Sequence, residues 1–206
     1  MFSGEQVGRK IRMKRILPVF TFACGVLLFP SWLLQPVAAI DKIPAKAKSI
    51  SQIRLQIPKD RGEKSYLGIS GEGYFKVSQI KANTVIIEIF SLYCPYCQAS
   101  APEVNALYQM IEQIPNFKDK IKMIGIGAGN SVLEVNTFKE KYKVLFPLFP
   151  DQDFKIHKDL GEVRTPYFIV AKIKKDRTIE VVHSQEGAFG EAETFLQQIL
   201  KASGLK

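Results

Sequence analysis

Short apolar runs alternate with segments of helical spacing along most of this chain of 206 residues. Runs rich in β-branched residues and bounded by polar residues or glycine predict strands, whereas apolar residues repeated every three or four positions predict helices. The predicted strands cover 53–57, 73–77, 85–90, 121–128, 145–149, 167–173 and 179–183. The predicted helices cover 98–114, 131–142, 154–160 and 191–202, with a helical turn at 78–81. This order predicts an α/β fold.

The connections between these elements predict how the strands pair. The helix at 98–114 joins the strands at 85–90 and 121–128, and Pro102 is expected to kink it. A helical crossover of this kind predicts two parallel strands. The last two strands are separated only by the polar turn at 174–177, which predicts an antiparallel pair. We therefore expect a central mixed sheet flanked by helices.

The amino-terminal segment has the pattern of an export signal. Residues 9–15 are basic, residues 16–34 are almost wholly apolar, and residues 36–39 read Pro-Val-Ala-Ala. This pattern predicts either a signal peptide over residues 1–39, cleaved after its last residue, or a retained membrane anchor through residues 16–34. Both alternatives export the protein, to the periplasm or to the outer face of the inner membrane. The polar residues 40–52 are expected to form a tether, and residues 53–206 a single domain.

The positive charge of the chain does not indicate nucleic-acid binding. The formal net charge is +9, but five basic residues lie within the first fifteen positions. The remaining basic residues are spread along the chain instead of forming one basic arm. We therefore expect a solvated surface and no nucleic-acid partner.

The cysteines carry the clearest chemical signal. The chain has three, of which Cys24 lies in the apolar amino-terminal segment and is expected to be an apolar filler. Cys94 and Cys97 enclose Pro95 and Tyr96 where the strand at 85–90 passes into a helix. Free backbone N–H groups at the start of a helix stabilise a thiolate, and two intervening residues allow the second thiol to reach the first. An exported protein with one such pair is expected to perform thiol–disulfide exchange.

A glycine-rich turn follows the strand at 121–128. Gly125, Gly127 and Gly129 alternate there, but Asn130 stands where a dinucleotide-binding fingerprint has its third glycine. The sequence therefore predicts an ordinary strand-to-helix turn and no dinucleotide site.

These motifs together resemble the thioredoxin-like superfamily over roughly residues 53–203. Glu88 lies six residues before Cys94, where thioredoxins have a buried acidic residue, and Pro102 lies eight residues after it, where they have a helix-kinking proline. Thr165-Pro166 at the start of a strand looks like their cis-proline loop. The strand–helix insert at 121–142, after the active-site helix, is similar to exported proteins of the TlpA-like, redoxin-type branch. This resemblance implies a thioredoxin fold and disulfide oxidoreductase activity.

The expected mechanism assigns one role to each thiol. Cys94, nearer the helix start and more exposed, is the expected nucleophile, and Cys97 the resolving thiol. Glu88 lies between isoleucines, so burial is expected to raise the pKa of its carboxyl and let it exchange a proton with Cys97.

The expected substrate-binding residues surround Cys94. The backbone of Thr165, exposed by a cis Pro166, is expected to pair with an extended substrate segment. Tyr93, which replaces the usual tryptophan before the first cysteine, and the enclosed residues Pro95 and Tyr96 are expected to flank the site.

The expected redox centre is the Cys94–Cys97 disulfide itself, with no further cofactor and no metal. The expected partners are protein thiols or disulfides and a redox protein in the membrane. The sequence leaves the direction of electron flow open.

Two other functions are compatible with parts of the sequence. A peroxiredoxin-like peroxidase would use Ser91 to assist a peroxidatic Cys94, although Ile87 occupies the place of the upstream proline of that motif. A copper chaperone of thioredoxin fold would combine Cys94 and Cys97 with His157 or His183. Such chaperones have three residues between their cysteines, whereas this chain has two.

Overall fold

The computed structural model describes residues 46–205, so the predicted signal peptide or anchor lies outside the described residues. Within 46–205, no helix is both long enough and apolar enough to span a membrane. Seven strands form two sheets: β1 Arg54–Gln56, β2 Tyr74–Lys76, β3 Thr84–Phe90, β4 Ile121–Ala128, β5 Leu148–Asp151, β6 Tyr167–Ile173 and β7 Ile179–Glu186. The helices are α1 Lys46–Gln52, α2 Arg61–Leu67, α3 Pro95–Gln113, α4 Pro115–Lys118, α5 Val132–Lys141, α6 Lys155–Asp159 and α7 Ala192–Ser203.

The main sheet has five strands in the order β5-β4-β3-β6-β7. Strand β3 pairs in parallel with β4 and antiparallel with β6, and every one of its residues is buried. A strand buried on both faces needs the continuous apolar run that 84–90 provides. The predicted α/β architecture, with a central mixed sheet flanked by helices and a strand–helix insert after α3, is confirmed.

The two faces of the sheet have separate apolar cores. Alternate residues of β3 point to opposite faces, so Val85, Ile87 and Ile89 belong to one core, and Ile86 and Phe90 to the other. The first core also contains side chains of β1, β2, α1 and α2. The second contains side chains of α3, α5 and α7, together with both cysteines. Helix α3, which begins directly after Cys94, is therefore fixed by the second core.

Residues 46–52 form helix α1, so the structure replaces the second half of the predicted tether with a packed helix. Ile50 is fully buried in the first core, which also takes up Ile53 directly after the helix. A mainly polar segment needs only one well-placed apolar side chain to dock, and the surrounding lysines obscure that signal in the sequence.

Replacing Ile50 with alanine is expected to lower the free energy of unfolding by about 2–4 kcal/mol, because it leaves a cavity in the first core. Denaturant unfolding of the full chain measures this change. The exposed neighbour Gln52, replaced by alanine, should change stability by less than about 0.5 kcal/mol. Equal values for the two variants would restore the tether interpretation.

Helix α2 was not predicted, because Gly62 within it and Gly68, Gly71 and Gly73 after it interrupt the apolar pattern. The Asp60 side chain caps its first turn by accepting from Glu63 N, and Gly68 ends it in the left-handed conformation. Tyr66 Oη accepts a hydrogen bond from Met123 N at 2.7 Å, before the point at which β5 begins to pair with β4. The helix therefore covers an otherwise free edge of β4.

Strand β5 starts three residues later than predicted. The sequence predicts a strand at 145–149, whereas the ladder runs from Leu148, opposite Gly125, to Asp151. Phe146 instead lies fully buried in the second core ahead of the strand. The burial of a loop residue made the apolar run look like a strand.

Candidate active site

The two cysteines lie at the junction of β3 and α3. Cys94 caps α3, and its Sγ accepts a hydrogen bond from Cys97 N at 3.1 Å. The Cys94 thiol also donates to the backbone oxygen of Thr165 at 3.3 Å. Both cysteines are free, with 9% of Cys94 exposed and none of Cys97. Cys94 is therefore the more exposed of the two cysteines.

Cys97 is held as a thiol. Its burial raises the pKa of the thiol well above its usual range, and the hydrogen bond with Cys94 and the charge of Glu88 raise it further. Such a group needs a base close by before it can act as a nucleophile.

Glu88 is the buried acid beside this pair. It lies in β3 opposite Gly125 on one side and Phe168 on the other. By the alternation of the strand it faces the core that contains the cysteines. Burial raises the pKa of its carboxyl from 4.5 to about 8, so it can hold or release a proton near neutral pH.

The loop before β6, which contains Thr165 and Pro166, contacts Cys94. The peptide bond between Thr165 and Pro166 is cis, as expected from the sequence. Antiparallel pairing of β6 with β3 brings this loop to the end of the sheet where Cys94 lies. Thr165 O consequently contacts the Cys94 thiol, and Pro166 O accepts from Gly187 N.

Tyr93, Pro95 and Tyr96 line the outer rim of the site. All three are exposed, Tyr93 by 67% and Tyr96 by 75%. The Tyr93 hydroxyl donates to the carboxylate of Glu134 on α5. Hydrogen bonds from Tyr93 and Ser131 lower the pKa of Glu134 to about 2, so this carboxylate is ionised at neutral pH.

Two polar side chains that contact the cysteine loop, the segment 91–93 between β3 and Cys94, were not predicted from the sequence. Leu92 N donates to Asn130 Oδ1 at 2.8 Å, and Gln98 Nε2 donates to Leu92 O at 2.7 Å. Asn130 was interpreted as part of an ordinary turn. Its only signal is that a polar residue ends a run of apolar residues and glycines.

The histidines take part in other contacts. A ring nitrogen of His157 lies 2.8 Å from Val163 O, and His183 packs edge-on against Phe195. Across residues 46–205, no three His, Cys, Asp or Glu side chains are grouped so that they could hold a metal ion. The structure therefore provides no histidine ligand beside Cys94 and Cys97 for the copper-chaperone alternative.

Comparison with known proteins identifies the family. The model of the AhpC/TSA family matches residues 67–185, which is more than half of the chain and includes both cysteines and the Thr165–Pro166 loop. This chain belongs to the AhpC/TSA family. The predicted membership of the thioredoxin-like, redoxin-type proteins is confirmed.

Curated relatives of this AhpC/TSA protein are named for redox chemistry. Proteins named thiol-disulfide oxidoreductase ResA from Bacillus thuringiensis and Bacillus cereus are each 24% identical to it over 125 residues. The matched region covers 60% of this chain and 68% of each relative.

Solved structures share its fold. A secreted Mycobacterium tuberculosis disulfide oxidoreductase, described as homologous to Escherichia coli DsbE, superposes with a TM-score of 0.53 at 13% identity, covering 75% of this chain and 98% of the other. A thiol-disulfide isomerase from Corynebacterium glutamicum superposes with a TM-score of 0.51 at 17% identity, covering 66% and 90%. These superpositions confirm the thioredoxin fold.

Proposed function

We propose that this protein is an exported thiol–disulfide oxidoreductase that exchanges disulfides with protein substrates through Cys94 and Cys97. The observation that carries the proposal is the cysteine geometry, in which the Sγ of Cys94, the more exposed cysteine, accepts the Cys97 N–H, and a buried Cys97 stays protonated beside an acid. The relatives named thiol-disulfide oxidoreductase support the same class of enzyme.

The first step is attack by Cys94 on a substrate disulfide. The Cys97 N–H stabilises the Cys94 thiolate, which forms a bond to one substrate sulfur while the substrate S–S bond breaks. The other substrate sulfur leaves as a thiolate and takes a proton from solvent. The product is a mixed disulfide between Cys94 and the substrate.

The second step resolves that mixed disulfide. Ionised Glu88 takes the proton of Cys97, and the new thiolate attacks Cys94 Sγ. The Cys94–substrate bond breaks, the Cys94–Cys97 disulfide forms, and the second substrate sulfur leaves reduced. The substrate gains two electrons and the cysteine pair loses two. All steps reverse when the protein acts as an oxidant.

Substrate binding is assigned to the backbone of Thr165 next to Pro166, and to Tyr93, Pro95 and Tyr96. Thr165 O lies 3.3 Å from the attacking sulfur, so an extended segment passing this loop brings its disulfide to Cys94. The exposed tyrosine rings offer apolar contacts on the other side of that path.

Export is assigned to residues 1–39, as a signal peptide or as an anchor through residues 16–34. The secreted M. tuberculosis structure with the same fold supports export to the periplasm or to the outer face of the inner membrane. A redox protein of the membrane would then return the Cys94–Cys97 pair to its starting state after each turnover.

The reduction potential of the pair tests this function. Equilibration of the full chain with glutathione or dithiothreitol is expected to give one two-electron couple that joins Cys94 to Cys97. A value below about −250 mV assigns the protein as a reductant, and one above about −180 mV as an oxidant or isomerase. Failure to form this disulfide would overturn the proposal.

A further inference from the structure

The turn between β4 and α5 holds an asparagine in an unusual environment. Asn130 is fully buried (0% exposed) at the end of a strand in which every residue is buried. A buried amide must form hydrogen bonds or it destabilises the fold. The hydrogen-bond partners of the Asn130 amide therefore indicate the role of this residue.

Both ends of the Asn130 amide contact the loop that leads to Cys94. Its Oδ1 accepts from Leu92 N at 2.8 Å, and its Nδ2 donates to Ser91 Oγ at 3.3 Å. Ser91 O in turn accepts from Cys94 N at 3.1 Å. Asn130 is thus linked to the backbone of Cys94 through two atoms of Ser91, its Oγ and its backbone oxygen.

The opposite side of the same loop is held by α3. Gln98 Nε2 donates to Leu92 O at 2.7 Å, so both backbone groups of Leu92 are bound by side chains from different elements. The loop therefore has one position relative to the helix that Cys94 caps. That position sets the 3.1 Å hydrogen bond from Cys97 N to Cys94 Sγ.

The strand before the turn leaves room for the asparagine. A Cβ added to Gly127 would lie 2.9 Å from Val135 Cγ2, 3.0 Å from Asn130 Cβ and 3.1 Å from Asn130 Oδ1. A larger residue at position 127 would therefore crowd both the Val135 side chain and the Asn130 amide. Gly127 is therefore part of the same arrangement, although it does not contact the loop itself.

We propose that Asn130 is a positioning residue, which fixes the Ser91–Leu92 backbone and thereby keeps Cys94 aligned with the N–H group of Cys97. The inference rests on the proposed thiol–disulfide exchange, to which it adds a residue from the strand–helix insert. Without the amide the loop moves, the Cys97 N–H bond to sulfur weakens, and the Cys94 thiolate loses stabilisation.

Alkylation of Cys94 by iodoacetamide tests this directly, with each cysteine of the full chain followed by peptide mass spectrometry. Asn130→Ala is expected to slow Cys94 alkylation at pH 7 about tenfold, as loss of a buried hydrogen bond to the backbone implies. The deficit should close at high pH, because alkaline solution deprotonates a thiol without stabilisation from a backbone N–H group. Gly127→Ala, which keeps the amide but crowds it together with Val135, should slow alkylation less and in the same pH-dependent way.

The matched control is Asn105→Ala. Asn105 also donates its amide to a backbone oxygen, that of Tyr142 at 2.8 Å, but it does not contact the cysteine loop. The Asn105→Ala variant should show the wild-type rate of Cys94 alkylation at every pH. The groups near Cys94 that titrate or carry charge are the same in all these variants. They are Glu88 on β3, Cys97 on α3 and the Tyr93–Glu134 pair.

Wild-type rates in both Asn130→Ala and Gly127→Ala would overturn the inference. Equal slowing at every pH would also overturn it, because that result indicates reduced access of the reagent to the sulfur instead of a less stabilised thiolate. If Asn130→Ala fails to fold, Gly127→Ala decides alone by the same criteria. The proposed function is judged separately: if the wild-type pair forms no disulfide, that function fails, whereas the alkylation profile still decides whether Asn130 positions Cys94.

Discussion

Replacing Cys94 with serine is expected to lower the rate of thiol–disulfide exchange by at least about a thousandfold. Cys94 is the more exposed of the two cysteines, and its sulfur is the one that accepts a backbone N–H. A serine hydroxyl at this position does not ionise at neutral pH and cannot form the mixed disulfide. Reduction of insulin disulfides by the full chain with dithiothreitol, followed as turbidity, measures the loss.

Replacing Cys97 with serine separates attack from resolution. This variant is expected to attack a substrate disulfide and then stop, so that a covalent complex through Cys94 accumulates and is visible by mass spectrometry. Cys24 is replaced by serine in every chain compared, so that it forms no competing disulfide. Full peroxide turnover by Cys97→Ser, without any trapped protein disulfide, would contradict the proposed function and favour the peroxidase alternative.

Replacing Glu88 with glutamine is expected to remove about 3 kcal/mol of the change in unfolding free energy between pH 4.5 and 7. Burial raises the pKa of this carboxyl from 4.5 to about 8. Between these values the unfolded chain releases the proton and the folded chain keeps it. The folded state then binds more protons, so wild-type stability falls as the pH rises, and it levels off above about pH 8. Glutamine has no proton to release.

Denaturant unfolding of wild type and variant at a series of pH values measures this difference. The exposed residue Glu72 is the control, because Glu72→Gln should retain the wild-type dependence on pH. A Glu88→Gln variant whose stability follows the wild-type curve would show that the carboxyl is ionised in the folded protein. The same variant should also resolve the mixed disulfide more slowly at pH 8 than the wild type, since Cys97 loses its proton acceptor.

The sequence determined the centre of the fold because its signals there are local. The β-branched run at 85–90 is typical of a strand buried on both faces, and a thiol pair at its end indicates the chemistry without knowledge of distant contacts. The hairpin at 167–183 and the closing helix α7 are likewise predicted from spacing and turn residues within a few positions. The positions of Glu88 and Pro166 followed from the resemblance to thioredoxins.

Only the tertiary structure decided which remote side chains complete the site. Asn130 lies 38 positions from Leu92 in the chain, and no local pattern distinguishes an asparagine that ends a turn from one that binds a loop on another strand. Helices α1 and α2 were missed for the same reason. A single buried Ile50, or a Tyr66 hydroxyl at a strand edge, stabilises a segment through contacts that form only when the sheet is assembled.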